Sequence, residues 1–179
     1  MIRGDIIMKK YSISSNNEKV QNSVNNCTEK IEEILDFFNI DNVNVTIKVL
    51  SYDAFKKEFK DYLNYDSNDC TAGFIEDDKN MIVVLDYDDY KYTNHHSKTY
   101  DDFIKTVIHE FVHVVHSIAC KHRYPSDELW EGIAVYLSNQ YDFEAKIGSG
   151  SYYEYGLNIY NYLKEHDKES LLSILNVDN

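Results

Sequence analysis

One five-residue segment combines side chains that can hold a metal ion with one that can move a proton. It reads His109-Glu110-Phe111-Val112-His113, with two histidines four residues apart and a glutamate directly after the first. On a helix, residues four apart lie one turn above each other on the same face, so both imidazoles can reach one zinc ion. Glu110 lies next to that face, within reach of a water on the metal. The segment therefore predicts a zinc site in which Glu110 is the general base.

A catalytic zinc site needs a third protein ligand, and three downstream side chains are candidates. On a continuous helix His116 would lie about 10 Å along the axis from His109, which favours a surface or supporting role, and His122 points away by the same geometry. Glu131 is expected on the next helix, which can return antiparallel and level with the motif. A carboxylate on an apolar face needs a partner, because an unpaired buried charge costs several kcal/mol. We therefore expect His109, His113 and Glu131 to be the ligands; the alternative is an exposed glutamate on a helix edge.

The histidine pair lies in the middle of the longest helical pattern of the chain, residues 97–122, where apolar side chains recur with helical spacing. A second helix is predicted over 127–140, after a serine and an aspartate that can cap it. Alternating apolar residues predict a strand over 43–49, and two β-forming segments at 71–76 and 81–86 predict a hairpin. Further helices are expected over 27–39, 51–63, 153–166 and 169–175.

The order of these elements predicts an α+β protein, with the strands in the first half and helices dominating the second. The chain has 179 residues, enough to bury a core without disulfides or other staples. Residues 12–26 are rich in Ser and Asn and predict a mobile lead-in. We therefore expect a flexible segment over 1–26 and a single domain over 27–179.

Composition excludes several classes of partner. A net charge of −13 repels nucleic acid and anionic membranes, whereas a basic peptide, or no partner at all, is compatible with it. Cys27, Cys70 and Cys120 form no CxxC pair, which argues against a disulfide framework and a thiolate zinc site. No signal peptide and no run of roughly 20 apolar residues is found, so a cytoplasmic location is expected, with a secreted mature form as the alternative.

The motif and a second segment together resemble a known family. Residues 130–136 read Trp-Glu-Gly-Ile-Ala-Val-Tyr, and with HExxH they are similar to the HExxH…EGxAxY signature of gluzincin zinc metallopeptidases, especially the minigluzincins and related peptidase-MA-like domains. The resemblance covers about residues 72–172. It implies a zincin-like fold with a small mixed sheet, an edge-strand hairpin, a long active-site helix and a helical second half. In that family the edge strand pairs with substrate, which would place residues 81–85 at the cleft.

The resemblance also implies a stabiliser for the oxyanion of the reaction. The family often carries a YxxG motif on the following helix, and Tyr153-Glu-Tyr-Gly156 matches it. Tyr153 would then donate a hydrogen bond to the developing oxyanion, with Tyr152 or Tyr155 as alternatives. One departure concerns Val135, which stands where gluzincins of the thermolysin kind have an Asp that orients a ligand histidine.

These features predict zinc-dependent hydrolysis of peptide bonds by a metal-activated water. No segment resembles the GAMEN motif of aminopeptidases, so endopeptidase action on a peptide or protein is expected. One alternative is a latent or inactive zinc-binding pseudo-peptidase that acts as a binding or regulatory module. Another is an interaction domain in which HExxH is accidental, and measuring bound zinc separates that reading from the others. The sequence leaves the oligomeric state open.

Overall fold

A mixed four-stranded sheet is built from the first half of the chain. The computed structural model describes residues 10–177. Strand β2 is parallel to β1 and to β4, whereas β3 is antiparallel to β4. The order across the sheet is β1-β2-β4-β3, so β3 is an edge strand and β4 lies inside. The strands are β1 (Lys10–Ser15), β2 (Asn42–Leu50), β3 (Gly73–Glu76) and β4 (Met81–Leu85).

Burial along the strands follows from their place in the sheet. In β2 the apolar residues alternate with more exposed ones, as expected of a strand with one covered face. In β4 every residue from Ile82 to Leu85 is buried, which is typical of an inner strand covered on both faces. The apolar core is continuous from Val20 near one end of the described chain to Val177 at the other.

The helices pack around this sheet, and α4 is the longest of those described. Thr99 and Asp102 form a capping box at its start. Past its last residue, Lys121 and His122 adopt φ of 50° and 61°, and the chain turns towards α5. The helices are α1 (Glu18–Asn25), α2 (Thr28–Phe37), α3 (Tyr52–Leu63), α4 (Tyr100–Ala119), α5 (Asp127–Leu137), α6 (Ser151–Glu165) and α7 (Lys168–Ile174).

Two glycines let α5 and α6 approach closely. A Cβ on Gly132 would lie 2.8 Å from the carbonyl oxygen of Tyr155, and a Cβ on Gly156 would lie 2.6 Å from Val135 Cγ1. A methyl group at either position would therefore push the helices apart. This contact fixes the rotation of α5, the helix that carries Glu131.

The structure differs from the flexible segment expected over 1–26, because regular elements cover most of residues 10–26. Residues 1–9 of that segment lie outside the described residues. Residues 10–15 form β1, with Ile13 opposite Val45 of β2, and residues 18–25 form α1. The polar residues there have structural partners rather than water alone. The Asn16 amide donates to the carbonyl of Val49 and accepts from its N–H, at 3.0 and 2.8 Å. The polar residues of this segment therefore indicated flexibility, whereas some of them form hydrogen bonds with β2.

The architecture is α+β, as the sequence predicts, with a small mixed sheet followed by helices. Helices expected over 97–122 and 127–140 are present as α4 and α5, each shorter by a few residues. Among the described residues, no helix combines the length and apolar character needed to cross a membrane.

Candidate metal centre

The two motif histidines point to one place on the buried face of α4. Their Nε2 atoms lie 3.0 Å apart, and the residues are only 5% and 4% exposed. Their ring planes are nearly perpendicular, with centroids 4.7 Å apart. Helical spacing therefore brings His109 and His113 together as the motif predicts.

Helix α5 brings Glu131 to the same point. Its Oε2 atom lies 3.1 Å from Nε2 of His109 and 3.5 Å from Nε2 of His113. In a tetrahedral zinc site with bonds of about 2.0–2.1 Å, neighbouring ligand atoms are about 3.3 Å apart. The three observed separations fit the edges of such a tetrahedron, and two imidazoles with one carboxylate match a catalytic donor set. The three residues form a group that could hold a metal ion.

The charges at this cluster suit a cation. Burial raises the pKa of Glu131, but hydrogen bonds from the two histidines outweigh burial and hold that pKa well below its usual range. Burial lowers the pKa of His109, yet its hydrogen bond to Glu131 and nearby carboxylate charges outweigh this and raise it. Burial prevails at His113, and its pKa is lowered. An ionised Glu131 and a neutral His113 are in the protonation states that a metal ion requires, whereas a protonated His109 would have to release its proton when the ion binds.

Glu110 is buried beside the cluster and lies against the edge strand β3. A Cβ placed on Gly73 would lie 2.8 Å from Glu110 Oε1, so the bare glycine leaves space for the carboxylate. Burial raises the pKa of Glu110 to about 7, while the charge of His109 lowers it and that of Glu131 raises it by smaller amounts. A pKa near 7 suits a group that accepts and then releases a proton at neutral pH.

The ligand histidines have no orienting carboxylate among the described residues; the polar side chain that acts on His109 is that of Gln140. The Nδ1 atoms of His109 and His113 are buried without a partner, and Val135 supplies no carboxylate. The ring of Trp130 stacks on that of His113 instead, with centroids 4.6 Å apart and planes 10° apart. Ring stacking therefore restricts the orientation of His113, in place of the hydrogen bond common at metal sites.

The rival ligands lie elsewhere. The ring of His116 packs on that of Trp130, and its Nε2–H can donate to the carbonyl oxygen of Leu175 at 3.0 Å. Burial lowers the pKa of His116 to about 4. His122 lies past the end of α4, where its Nδ1 is 3.2 Å from a carboxylate oxygen of Asp77. The structure brings neither residue to the cluster.

The tyrosine that faces the cluster is Tyr152, and the expectation for Tyr153 does not fit the structure. The ring of Tyr152 lies 6.2 Å from that of His109. Tyr153 is 6% exposed and packs against Phe143 and Tyr141 at ring distances of 5.7 and 5.5 Å. Burial first, and then the charges of nearby carboxylates, raise the pKa of Tyr152, so its hydroxyl stays a donor.

The strand that lies at the cleft is not the one expected from the family resemblance. Residues 81–85 form β4, which lies inside the sheet between β2 and β3, so the prediction of a cleft position for them is wrong. The edge strand beside Glu110 is β3, the first arm of the hairpin. The reason is that β4 pairs with β2, and this pairing leaves β3 on the outside.

A cavity of about 540 Å³ opens beside the cluster. His109 and Glu110 contribute to its wall, together with Gly73 of β3, Tyr152 of α6 and Lys105 of α4. The sequence analysis assigned no role to Lys105 or Trp130, although the position of each one relative to a predicted ligand indicated that it lies near the site. Lys105 precedes His109 by one helical turn, and Trp130 directly precedes Glu131.

Comparison with known proteins adds no relative. No protein family model, no curated protein and no solved structure matches this chain.

Proposed function

We propose that the chain is a zinc-dependent peptidase of gluzincin type, with His109, His113 and Glu131 as metal ligands. The observation that carries this proposal is the convergence of two imidazole nitrogens and a carboxylate oxygen beside the buried Glu110, at the wall of a cavity. A zincin-like arrangement is supported by the antiparallel edge strand β3, which lies against the motif helix α4.

The proposed reaction is hydrolysis of a peptide bond, most simply within a chain. Zinc, when bound, would lower the pKa of water and polarise the scissile carbonyl. Glu110 takes the proton of the attacking water and passes it to the leaving amine. The hydroxyl of Tyr152 donates a hydrogen bond to the oxyanion as it develops.

A latent form blocked by a terminal segment receives no support from the described residues. None of β1, α1, α2 or α7 contributes to the wall of the cavity in the described part of the chain. The ligand His109 and the general base Glu110 both line the cavity, and His113 and Glu131 lie within hydrogen-bond distance or close to it from His109. We therefore propose an active peptidase rather than a latent one.

Two substitutions test the proposal. Glu110→Gln should keep zinc but lower peptide turnover by about 10²–10⁴-fold, because the general base is lost. Glu131→Ala should weaken zinc binding by more than about 100-fold, because one of three ligands is gone. Elemental analysis, zinc titration and hydrolysis of a mixed peptide library measure these effects.

Glu128→Ala is the matched control for the metal ligand, since Glu128 is an exposed glutamate on the same helix. It should leave zinc binding and turnover unchanged. A wild-type chain that takes up no zinc would refute the proposed metal centre. Wild-type turnover by Glu110→Gln would refute the proposed mechanism.

A further inference from the structure

Two lysines line the cavity beside the ligand cluster. Lys105 precedes His109 by four residues on α4, so it lies on the same face, about 6 Å along the axis. Lys98 stands directly before the N-cap residue Thr99. Both ammonium groups can therefore reach a molecule bound at the cavity.

Neither lysine forms a close ion pair with the protein, although the charges of both act on Asp102. Among the ion pairs of the described residues, none involves Lys98 or Lys105. Asp102, a carboxylate on the same wall, accepts hydrogen bonds from the N–H and hydroxyl of Thr99 at 2.9 and 2.8 Å. Burial raises the pKa of Asp102, but these hydrogen bonds and then the charges of Lys98 and Lys105 outweigh burial and lower it. Two lysines without a close ion pair on one wall leave positive charge available to a molecule bound in the cavity.

With a divalent ion bound, the charge at the cavity would be opposite to that of the whole molecule. A divalent ion would balance Glu110 and Glu131, so these carboxylates would not offset the lysines. Two lysines then face one aspartate, which leaves the wall positive although the chain carries −13 overall. Complementary charge determines which partner a site accepts, and like charges disfavour the wrong one.

We infer that the cavity selects peptides with an acidic side chain close to the scissile bond, and that Lys105 is the specificity-determining residue that pairs with this carboxylate. Lys98 adds a second positive charge at the mouth of the same cavity. The inference depends on the proposed function, because it concerns the substrate of that site. Lys105 is partly buried, so its ion pair with substrate would be screened less than one on the open surface.

Matched peptides test the inference through turnover. In a series that places Glu, Gln or Lys at each position flanking the cut, one position should favour Glu over Gln by about tenfold in kcat/KM. Lys105→Met should lose this preference, and Lys105→Glu should favour the Lys peptide instead. Lys57→Met is the control, because Lys57 is an exposed lysine of α3 outside the cavity.

A binding measurement tests the inference without turnover. The hydroxamates of N-acetylglutamate and N-acetylglutamine share a zinc-chelating group and differ only in the carboxylate. The zinc-loaded protein should bind the glutamate compound about tenfold more tightly, and Lys105→Met should bind the two equally. A preference that survives Lys105→Met, or equal binding by wild type, would overturn the inference. Zinc-loaded protein that shows the binding preference but cleaves no peptide would refute the proposed hydrolysis alone.

Discussion

Adjacent tyrosines on α6 have entirely different surroundings. Tyr152 faces the ring of His109, whereas Tyr153 packs in an aromatic cluster with Phe143. Neighbouring residues on a helix point about 100° apart, because one turn contains about 3.6 residues. A motif match that is displaced by one position therefore exchanges a side chain at the cavity for one in the core.

The tyrosine pair gives a prediction with its own control. Tyr152→Phe should lower kcat by about 10²–10³-fold with little change in KM, because the lost hydrogen bond stabilises the oxyanion rather than the substrate. Tyr153→Phe should leave kcat unchanged, since that residue does not line the cavity. Steady-state kinetics on one peptide measure both. A fall in kcat for Tyr153→Phe with no change for Tyr152→Phe would instead identify Tyr153 as the residue that stabilises the oxyanion.

Among the contacts between secondary-structure elements, the one between β3 and α4 positions the general base. Gly73 is the first residue of the edge strand, and the carboxylate of Glu110 occupies the space that a side chain there would take. The position of the general base therefore depends on the strand as well as on its own helix. Misplacing a catalytic group by about 1 Å can cost about 100-fold in rate.

Gly73→Ala should displace the carboxylate of Glu110, because the new Cβ would lie 2.8 Å from Oε1 and 2.9 Å from Cγ. We expect kcat/KM to fall by about 10–100-fold. Zinc content and the urea midpoint of unfolding serve as controls and should stay close to wild type, since no ligand is touched. Full activity in this variant would show that the contact does not position Glu110.

At the scale of the whole molecule, His116 connects distant parts of the chain. Its ring stacks on Phe38, which follows α2, and on Trp130 of α5. Its Nε2–H donates to the carbonyl of Leu175, next to the last described helix. His116, which is not a metal ligand in this cluster, thus connects α4 to the residue after α2, to α5 and to the residue after α7.

This burial makes stability depend on pH. The pKa of His116 falls from 6.5 to about 4, chiefly through burial and in part through the charge of His113, against the hydrogen bond to Leu175. Between these two pH values, His116 is protonated in the unfolded chain but not in the folded chain. Its contribution to the free energy of unfolding is therefore complete above about pH 6.5 and is lost as the pH falls towards 4. Between pH 7 and pH 5 the loss should be about 2 kcal/mol.

The comparison with His116→Gln isolates this effect. Glutamine keeps an N–H donor for the carbonyl of Leu175 but does not titrate. Urea unfolding of the metal-free proteins should show a smaller loss of unfolding free energy between pH 7 and pH 5 in this variant. Equal losses in the two proteins would assign the pH dependence to other groups.

Local geometry explains which features were predictable. The pair His109 and His113 follows from helical spacing, and the return of Glu131 follows from a short turn between two amphipathic helices. Strand order does not follow from local patterns, because alternation identifies a strand without naming its neighbours. Only the structure therefore shows that Ile13 pairs with Val45 and that β3 is an edge strand.

Trp130 is the only tryptophan in the chain. Its ring stacks on that of His113, at the edge of the ligand cluster. Light of a wavelength that excites tryptophan but not tyrosine therefore excites this one position. The emission of an indole depends on the charge of an imidazole in contact with it. The fluorescence of the protein, separated by wavelength from that of its 16 tyrosines, is therefore an intrinsic optical signal from a single position beside a metal ligand.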